Sequence, residues 1–201
     1  RNIMIKLFST VVLDLYGVII KESRSSFIDY AKEINPGLDS EKANRLFQKA
    51  ISGDITAEEF SASLGLETED FQRFVKNRLT LNDGFKAFAE EAVNKYDLVL
   101  MTNNIAEWND IILDHFGIRE YFKYIFVSSE MKSAKPKFDI FDRALEIMGK
   151  TPSECIFVDN REKNLLAAEE VGLAPLLFEY ENERFCGASV YNFKELADFI
   201  G

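Results

Sequence analysis

Five short runs of apolar residues recur along the chain, and none of them has a polar face. They are Lys6 to Leu13, Leu98 to Met101, Tyr124 to Val127, Cys155 to Val158 and Ala174 to Phe178. Such runs are typical of parallel strands that are buried on both faces of a sheet. We therefore predict five parallel strands at these positions.

The segments between the later runs repeat their apolar residues at the spacing of a helix. The three groups are Trp108, Ile111, Ile112 and His115, then Phe138, Phe141, Leu145 and Met148, then Leu165, Ala168 and Val171. Strands that alternate with helices in this way are typical of α/β proteins. The pattern predicts a doubly wound, Rossmann-like parallel sheet as the core of the protein.

The stretch from Ser25 to Thr80 departs from this alternation, because it contains several helical patterns and no clear strand. We predict a core domain of residues 1–20 and 84–201 with a small inserted helical cap of residues 21–83, which we call the insertion. Its helices can be capped by Asp39 or Ser40, by Thr56 with Glu59 as a capping box, and by Thr68. Because the insertion follows the first strand, it would lie over the carboxyl end of that strand and shield a ligand there.

Several of the 18 phenylalanines lie in the insertion. These are Phe27, Phe47, Phe60, Phe71 and Phe74. Large apolar side chains are most often buried. We therefore expect them to form the core of the insertion rather than a ligand site.

Length and composition fit one compact globular domain with a small inserted lobe, since the 201 residues are 47% hydrophobic and 29% charged. The chain has 24 Lys and Arg against 34 Asp and Glu, which gives a net charge of -10. Because this charge repels phosphate backbones, we expect no nucleic-acid partner. The apolar runs are far shorter than the ~20 residues that cross a bilayer, so we also expect no membrane span. Two cysteines, one of them in an apolar run, favour a reduced, cytoplasmic setting, and the oligomeric state stays open.

Four polar motifs lie at the ends of predicted strands or in the loops beyond them. Asp14 ends the first strand, before a turn that contains Gly17, and Thr102 and Asn103 end the second strand. Taken alone, Asp14 is as readily a turn or capping aspartate as a catalytic one. Thr102 alone is more readily explained as a cap of the following helix.

The other two motifs are Lys135, which precedes Pro136 and a helix, and Asp159-Asn160 at the end of the fourth predicted strand. Lys135 alone could be a solvated surface charge, and Asp159 and Asn160 could form a loop and a helix cap. Parallel strands, however, gather their carboxyl ends into one crevice. Two carboxylates, a hydroxyl and a lysine at that crevice supply the nucleophile, oxygen binding, charge neutralisation and metal ligands that phosphoryl transfer needs.

In this order, the motifs resemble those of the haloacid dehalogenase-like superfamily of hydrolases. The resemblance rests on Asp14 to Val18, Thr102-Asn103, Lys135-Pro136, and Asp159-Asn160 with Asn164. It covers the chain from about Leu7 to Phe178. The stretch from Gly53 to Phe60 resembles the helical cap of the subgroup that includes the amino-terminal phosphatase domain of soluble epoxide hydrolases and related bacterial sugar-phosphate phosphatases.

The resemblance implies how the site would act on a small phosphorylated substrate. Asp14 would attack the substrate and become a covalent aspartyl ester. Thr102 and the amide of Asn103 would hold the transferred group, while Lys135 would restrain Asp14 and neutralise charge. Lys135 and a bound cation should keep Asp14 ionised, as a nucleophile must be.

The resemblance also implies a Mg²⁺ site and a substrate-binding surface. The ion would be bound by Asp14, by the backbone carbonyl of Tyr16 and by a side chain of the last motif, Asp159 or Asn160. The residues expected to contact the substrate are Tyr16, Gly17, Thr102, Asn103 and Lys135.

Two positions depart from the phosphatases of this family. Tyr16 stands where they carry a second aspartate that protonates the leaving alkoxide, and Asn160 stands where many of them carry a second acid. General acid catalysis contributes about 10²- to 10⁴-fold, and a tyrosine with a pKa near 10 is a weak acid at neutral pH. The missing charge at Asn160 should weaken Mg²⁺ binding.

The sequence Asp-x-Tyr-Gly is also found in the haloacid dehalogenases of this superfamily, in which a halide leaves without protonation. Those enzymes, however, place a serine pair at Asp159-Asn160, an aspartate at Asn164 and a threonine at Val18. The expected function is therefore a Mg²⁺-dependent phosphatase of small phosphate monoesters, and two alternatives stay open. One is a 2-haloacid dehalogenase that uses Asp14; the other is a catalytically weak member that binds a phosphometabolite or a protein.

Overall fold

A six-stranded sheet forms the centre of the protein in the computed structural model, which describes residues 8–179 and 184–201. The strands are β1 (Thr10–Leu13), β2 (Asp97–Thr102), β3 (Tyr124–Val127), β4 (Cys155–Asp159), β5 (Ala174–Phe178) and β6 (Ser189–Val190). Their order is β3-β2-β1-β4-β5-β6, and every neighbouring pair is parallel. The predicted doubly wound α/β fold is confirmed.

The α-helices of the described residues lie in two groups. Those within the insertion are α1 (Ser26–Ile34), α2 (Ser40–Ile51), α3 (Ala57–Ser63) and α4 (Thr68–Arg78). Those that precede, separate or follow the later strands are α5 (Phe85–Ala92), α6 (Ala106–Phe116), α7 (Ser128–Met131), α8 (Phe138–Met148), α9 (Glu162–Val171) and α10 (Phe193–Ile200). In the part of the chain that the structure describes, none of these helices has the length and apolar character that crossing a bilayer requires.

Alternate residues of the central strand β1 pack into different halves of the core. Val11 and Leu13 belong to one hydrophobic cluster, which also contains the insertion, whereas Val12 belongs to the other. Successive side chains of a strand point to opposite faces, so both faces of the sheet are covered. This double burial explains why the sequence shows continuous apolar runs instead of alternation.

The first strand is shorter than the apolar run that predicts it. It begins at Thr10, and the predicted start at Lys6 lies outside the described residues. Thr10 pairs with Asp97 and Cys155, the first residues of β2 and β4, so neither neighbouring strand extends further upstream. The structure also adds β6, whose two residues are too few to produce a recognisable pattern.

Two of the three predicted helix caps in the insertion are confirmed. The Asp39 carboxylate accepts hydrogen bonds from two amides at the start of α2, and Thr56 begins α3 with the predicted capping box. The prediction for Thr68 was wrong, because Thr68 is the first residue of α4 and its cap is Glu67. The Glu67 amide donates to the Asp70 carboxylate at 2.9 Å, so a side chain later in the helix satisfies this end.

The phenylalanines of the insertion form a core, as predicted, and this core includes a residue from outside the insertion. All five are buried, and all except Phe74 have a ring contact with Trp108 of α6. The Trp108 ring stacks on Phe71 with 3.9 Å between ring centroids and 9° between planes. Phe27 and Phe60 contact the same indole, with centroids at 4.6 and 5.5 Å. The shared aromatic cluster therefore joins the insertion to α6.

Two hydrogen bonds also connect the insertion to the two ends of α7. Ser128 Oγ donates to the carbonyl oxygen of Ile51 at 2.6 Å, and Lys132 Nζ donates to that of Gly53 at 2.6 Å. Residues of the insertion and of the core belong to one hydrophobic cluster, so packing does not mark a boundary between them. The domain boundaries at residues 21 and 83 therefore stay a prediction.

Candidate active site

A buried lysine joins the carboxyl ends of three strands. The Lys135 ammonium lies 2.8 Å from Asp14 Oδ1 and 2.7 Å from Asp159 Oδ2. Its third donor reaches the carbonyl oxygen of Met101 at 2.8 Å, and only 1% of the side chain is exposed. An ammonium has three N–H donors, so all of them are used and the group is fixed between two carboxylates. The structure thus brings together Asp14, Lys135 and Asp159.

The side chain of Asn103 fixes the backbone of Lys135. Its Oδ1 accepts the Lys135 amide at 2.8 Å, and its Nδ2 donates to the Lys135 carbonyl oxygen at 2.8 Å. Sequence analysis predicts a role only for the Asn103 amide. It misses the side chain, because the two residues are 32 positions apart and only the fold brings them together.

The carboxylate of Asp159 is fully buried, and both of its oxygens accept hydrogen bonds. Oδ1 accepts the Arg161 amide at 2.9 Å, and the Asn164 side-chain amide donates to both oxygens at 3.1 and 3.0 Å. Asp159 does not line the cavity beside Asp14. Direct binding of a metal by Asp159, which stays a prediction, would therefore require one of these contacts to break.

The hydroxyl of Thr102 is available to a ligand. Thr102 Oγ1 is buried, lines the cavity and has no hydrogen-bond partner among the described residues. The alternative that Thr102 caps α6 is not supported, because the N-cap of that helix is Ile105. A buried hydroxyl without a partner costs free energy, and an anionic oxygen in the cavity would satisfy it.

Burial dominates the protonation of the predicted nucleophile. It raises the pKa of Asp14 to about 6, while Lys135 lowers this pKa and Asp159 raises it. Lys135 therefore acts in the predicted direction, although its effect is smaller than that of burial. Burial also opposes the charged form of Lys135, but the two carboxylates outweigh it and raise the pKa of Lys135. At neutral pH the cluster therefore holds two anions and one cation.

Two residues after Asp14, a tyrosine stands in the position of the family's proton donor. Burial raises the pKa of Tyr16 far above its usual value, Arg24 lowers it and the Asp14 carboxylate raises it. Tyr16 lines the cavity, so its neutral phenol is in place to contact a ligand. A phenol with so high a pKa is a poor general acid.

Gly17 provides space for the side chain of Asn160. Its φ is +81°, and an added Cβ would lie 2.1 Å from Asn160 Nδ2. Only glycine adopts this conformation without strain and leaves this space. Gly17 does not line the cavity, and its predicted contact with substrate stays a prediction.

A cavity of about 410 Å³ lies between the carboxyl end of the sheet and the insertion. Its predicted residues on the core side are Asp14, Tyr16, Thr102, Asn103, Lys135 and Asn160. The polar residues that the insertion contributes are Ser23, Arg24, Ser25, Asn44 and Gln48. Phe47 also reaches the wall, so one of the core phenylalanines faces the cavity.

The cavity wall is cationic although the chain is acidic. Its charged residues are Arg24, Lys135, Arg161 and Lys163 against one carboxylate, Asp14, among the described residues. Sequence analysis misses three of these cations. Arg161 and Lys163 stand in the motif that begins at Asp159, where their proximity is a usable signal, but no sequence pattern marks Arg24.

The cavity contains oxygen atoms of the kind that Mg²⁺ binds. Asn164 Oδ1 is buried without a hydrogen-bond partner among the described residues, and Asn164 and Asn160 both line the cavity beside Asp14. No group of three or more His, Cys, Asp and Glu side chains that could hold a metal ion occurs within residues 8–179 and 184–201. Carboxylate, amide and carbonyl oxygens are suitable Mg²⁺ ligands. The residues present fit the ion, with Asp14 as the one carboxylate that reaches the cavity.

Comparison with known proteins gives a family and several relatives. The model of the haloacid dehalogenase-like hydrolases matches residues 8–172. The chain is 26% identical over 139 residues to the chloroplast flavin mononucleotide hydrolase 1 of Arabidopsis thaliana, which covers 66% of this chain and 55% of that protein. It is 32% identical over 77 residues to the pyrimidine 5'-nucleotidase YjjG of Escherichia coli, which covers 37% of this chain and 34% of that protein. The chain thus matches about half and about a third of these two relatives.

Solved structures share the fold over nearly the whole chain. An HAD family enzyme of Bacteroides thetaiotaomicron, in its magnesium complex, has a TM-score of 0.75 and 25% identity, and the match covers 88% of this chain and 96% of that one. An HAD phosphatase of Thermococcus onnurineus has a TM-score of 0.72 at 18% identity, covering 96% and 98%. The L-2-haloacid dehalogenase of Xanthobacter autotrophicus has a TM-score of 0.66 at 15% identity, covering 96% and 98%. The last two likenesses concern the fold alone. Because the family model matches most of the chain, the protein belongs to the haloacid dehalogenase-like hydrolases.

Proposed function

We propose that the protein is a Mg²⁺-dependent phosphatase that hydrolyses small phosphate monoesters through an aspartyl-phosphate on Asp14. The observation that carries this proposal is the ammonium of Lys135, which lies 2.8 Å from Asp14 Oδ1 on the wall of a cationic cavity. Two phosphate-ester hydrolases among the relatives and a magnesium-bound neighbour support the same chemistry.

In the first step, a carboxylate oxygen of Asp14 forms a bond to phosphorus and the bond from phosphorus to the ester oxygen breaks. The Lys135 ammonium holds Asp14 in one orientation, which removes rotational freedom before attack. The Thr102 hydroxyl and the Asn103 amide hold oxygens of the transferred group. Water then cleaves the acyl phosphate and restores the carboxylate.

The described residues of the cavity provide only a weak general acid to protonate the leaving group. Tyr16 is a neutral phenol whose pKa burial raises, and Asp14 is the one Asp, Glu or His that lines the cavity in the described residues. Esters whose leaving groups are stable as anions should therefore react faster than alkyl esters.

Residues on two segments of the chain could hold the cation. Asp14, the backbone carbonyl of Tyr16, and the side-chain oxygens of Asn160 and Asn164 provide oxygen ligands at the cavity. We assign Asp159 to positioning Lys135, since its two oxygens are already bonded. Mg²⁺, when bound, supplies positive charge that neutralises the transferred group.

Phosphate release from p-nitrophenyl phosphate, with and without EDTA, tests the proposal. Wild-type protein should release phosphate only with Mg²⁺, and Asp14→Asn should remove this activity. Asp142→Asn is the matched control, because Asp142 is exposed and does not line the cavity. Mg²⁺-dependent turnover that persists in Asp14→Asn would refute the mechanism.

A 2-haloacid dehalogenase is the second candidate, and Tyr16 is the observation that favours it. A halide leaves without a proton, so a neutral phenol two residues after the nucleophile is no disadvantage for that reaction. Release of chloride from 2-chloropropionate that EDTA does not affect would support this candidate. Its absence, together with phosphatase activity, would exclude it.

A further inference from the structure

A cation of the insertion lines the cavity and, among the described residues, forms neither a hydrogen bond nor an ion pair. Arg24 precedes α1 and lines the cavity, and its guanidinium carbon lies 5.4 Å from the centre of the Phe47 ring. Burial lowers the pKa of Arg24, yet an arginine stays protonated in proteins. The Asp14 carboxylate opposes this effect only from a distance, so an anion in contact with the half-buried guanidinium would offset more of the cost of burying it.

Arg24 lies on a different part of the fold from the groups that would hold the transferred phosphate. Asp14, Thr102 and Lys135 lie at the carboxyl end of the sheet. Phe47 belongs to α2, and its ring packs on Phe60 of α3 with 5.4 Å between centroids. The guanidinium that lies over Phe47 is therefore on the insertion side of the cavity.

The carboxylates near the cavity favour the charged form of Arg24 only at long range, and among the described residues none forms an ion pair with it. Asp14 and Asp159 already neutralise Lys135, and Asp14 is the one carboxylate that lines the cavity in the described residues. A phosphate beside Asp14 would be held by Lys135, Thr102 and Asn103, whereas Arg24 lines the insertion side of the same cavity.

We propose that the substrate carries a second anionic group, a carboxylate or a second phosphate, which binds Arg24 while the phosphate to be removed lies at Asp14. The proposal rests on the proposed phosphatase function and specifies its substrate class. A guanidinium binds either group through two parallel N–H···O bonds. Ser23 and Ser25 line the same wall, and their hydroxyls are hydrogen-bonded to each other at 2.8 Å, which leaves one O–H donor of the pair for the group.

Pairs of phosphate monoesters that differ by one anionic group test the inference. For the carboxylate, 3-phosphoglycerate is compared with glycerol 3-phosphate; for the second phosphate, glucose 1,6-bisphosphate is compared with glucose 6-phosphate. We would measure kcat and KM for the wild type, Arg24→Gln, Arg24→Lys and the control Arg45→Gln. Arg45 is an exposed arginine of the same insertion that does not line the cavity.

The wild type and Arg45→Gln should prefer the doubly anionic member of at least one pair by about 10-fold or more in kcat/KM. Arg24→Gln should reduce this ratio to near 1, mainly through KM, and Arg24→Lys should restore part of it. The pair that shows the preference identifies the second group. A wild type without any preference, or a ratio that Arg24→Gln leaves unchanged, would overturn the inference. Equal losses for all four compounds would place Arg24 at the transferred phosphate and would also overturn it.

Binding separates a failure of this inference from a failure of the proposed function. Isothermal titration of the four compounds into Asp14→Asn protein, with and without Arg24→Gln, requires no turnover. A preference that depends on Arg24 supports the inference even if the wild type releases no phosphate, and equal affinities for both members of each pair overturn it. Thermal unfolding checks that each variant is folded, and Arg24→Lys retains the charge if Arg24→Gln does not fold.

Discussion

Replacing Asp14 by asparagine should stabilise the metal-free protein while it abolishes phosphate release. Asp14, Asp159 and Lys135 form a buried cluster of two anions and one cation, which carries one uncompensated negative charge. Burial raises the pKa of Asp14 to about 6. The pKa of an unperturbed aspartate in the unfolded chain is about 3.9. The substitution removes the uncompensated charge and leaves Lys135 paired with Asp159.

The size of the effect follows from the difference between the two pKa values. A difference of about 2 units corresponds to about 3 kcal/mol in the free energy of unfolding. Between about pH 4 and pH 6 the folded state binds more protons than the unfolded state, so wild-type stability falls as the pH rises. The cost is fully present above about pH 6 and absent below about pH 4. Asp14→Asn should therefore be more stable by up to about 3 kcal/mol at pH 7.5, with no advantage near pH 4.

Urea denaturation from pH 4 to 8 in EDTA measures this difference for the wild type, Asp14→Asn and the exposed control Asp142→Asn. Added Mg²⁺ should stabilise the wild type more than Asp14→Asn, since the cation neutralises the charge that the variant lacks. The reasoning fails if Asp14→Asn is less stable than the wild type at pH 7.5 in EDTA. It also fails if the difference between the two proteins does not depend on pH.

Four further predictions concern other parts of the site and the insertion. Asn160→Asp adds a second ionised ligand and should lower the Mg²⁺ concentration for half-maximal activity by about 10-fold; an unchanged Mg²⁺ titration would exclude Asn160 from the metal site. Tyr16→Asp supplies a proton donor and should raise the turnover of alkyl relative to aryl phosphates by about 10²-fold, and a constant ratio would contradict this. Trp108→Ala removes the indole that stacks on Phe71 at 3.9 Å and should cost about 3–5 kcal/mol in urea denaturation, whereas a loss below about 1 kcal/mol would mean that this contact does not hold the insertion. Gly17→Ala should lose more stability than Gly117→Ala, because both have a positive φ but only the first Cβ meets Asn160, at 2.1 Å; equal losses would argue against that contact.

The fold was predictable because burial on both faces marks the central strands in the sequence. The run at Cys155 to Val158 has no polar face, since alternate residues of β4 enter the two hydrophobic clusters. The extent of each strand was less predictable. The start of β1 depends on where its neighbours β2 and β4 begin, and the sequence of β1 alone does not contain that information. Strand β6 has two residues, too few to produce a recognisable pattern.

The site was predictable where chemistry coincides with the end of a strand. Asp14 and Asp159 each follow an apolar run, and a parallel sheet places such ends together. Contacts between distant segments were not predictable. The side chain of Asn103 holds the backbone of Lys135, and Arg24 reaches the cavity from a segment that precedes α1; both depend on the folded arrangement rather than on a local pattern.

The acidic residues that give the net charge of -10 and the cations of the cavity wall affect a bound ligand to different degrees. Exposed charges more than about 10 Å away are screened at 0.1 M salt, so the acidic surface contributes little inside the cavity. The charges on the wall are close to the ligand and partly shielded from water, where each has a larger effect. The excess of acids therefore bears on which macromolecules approach the surface, whereas Arg24, Lys135, Arg161 and Lys163 favour an anion in the cavity. Raising the ionic strength should accordingly weaken non-specific association at the surface more than it weakens binding of a doubly anionic substrate.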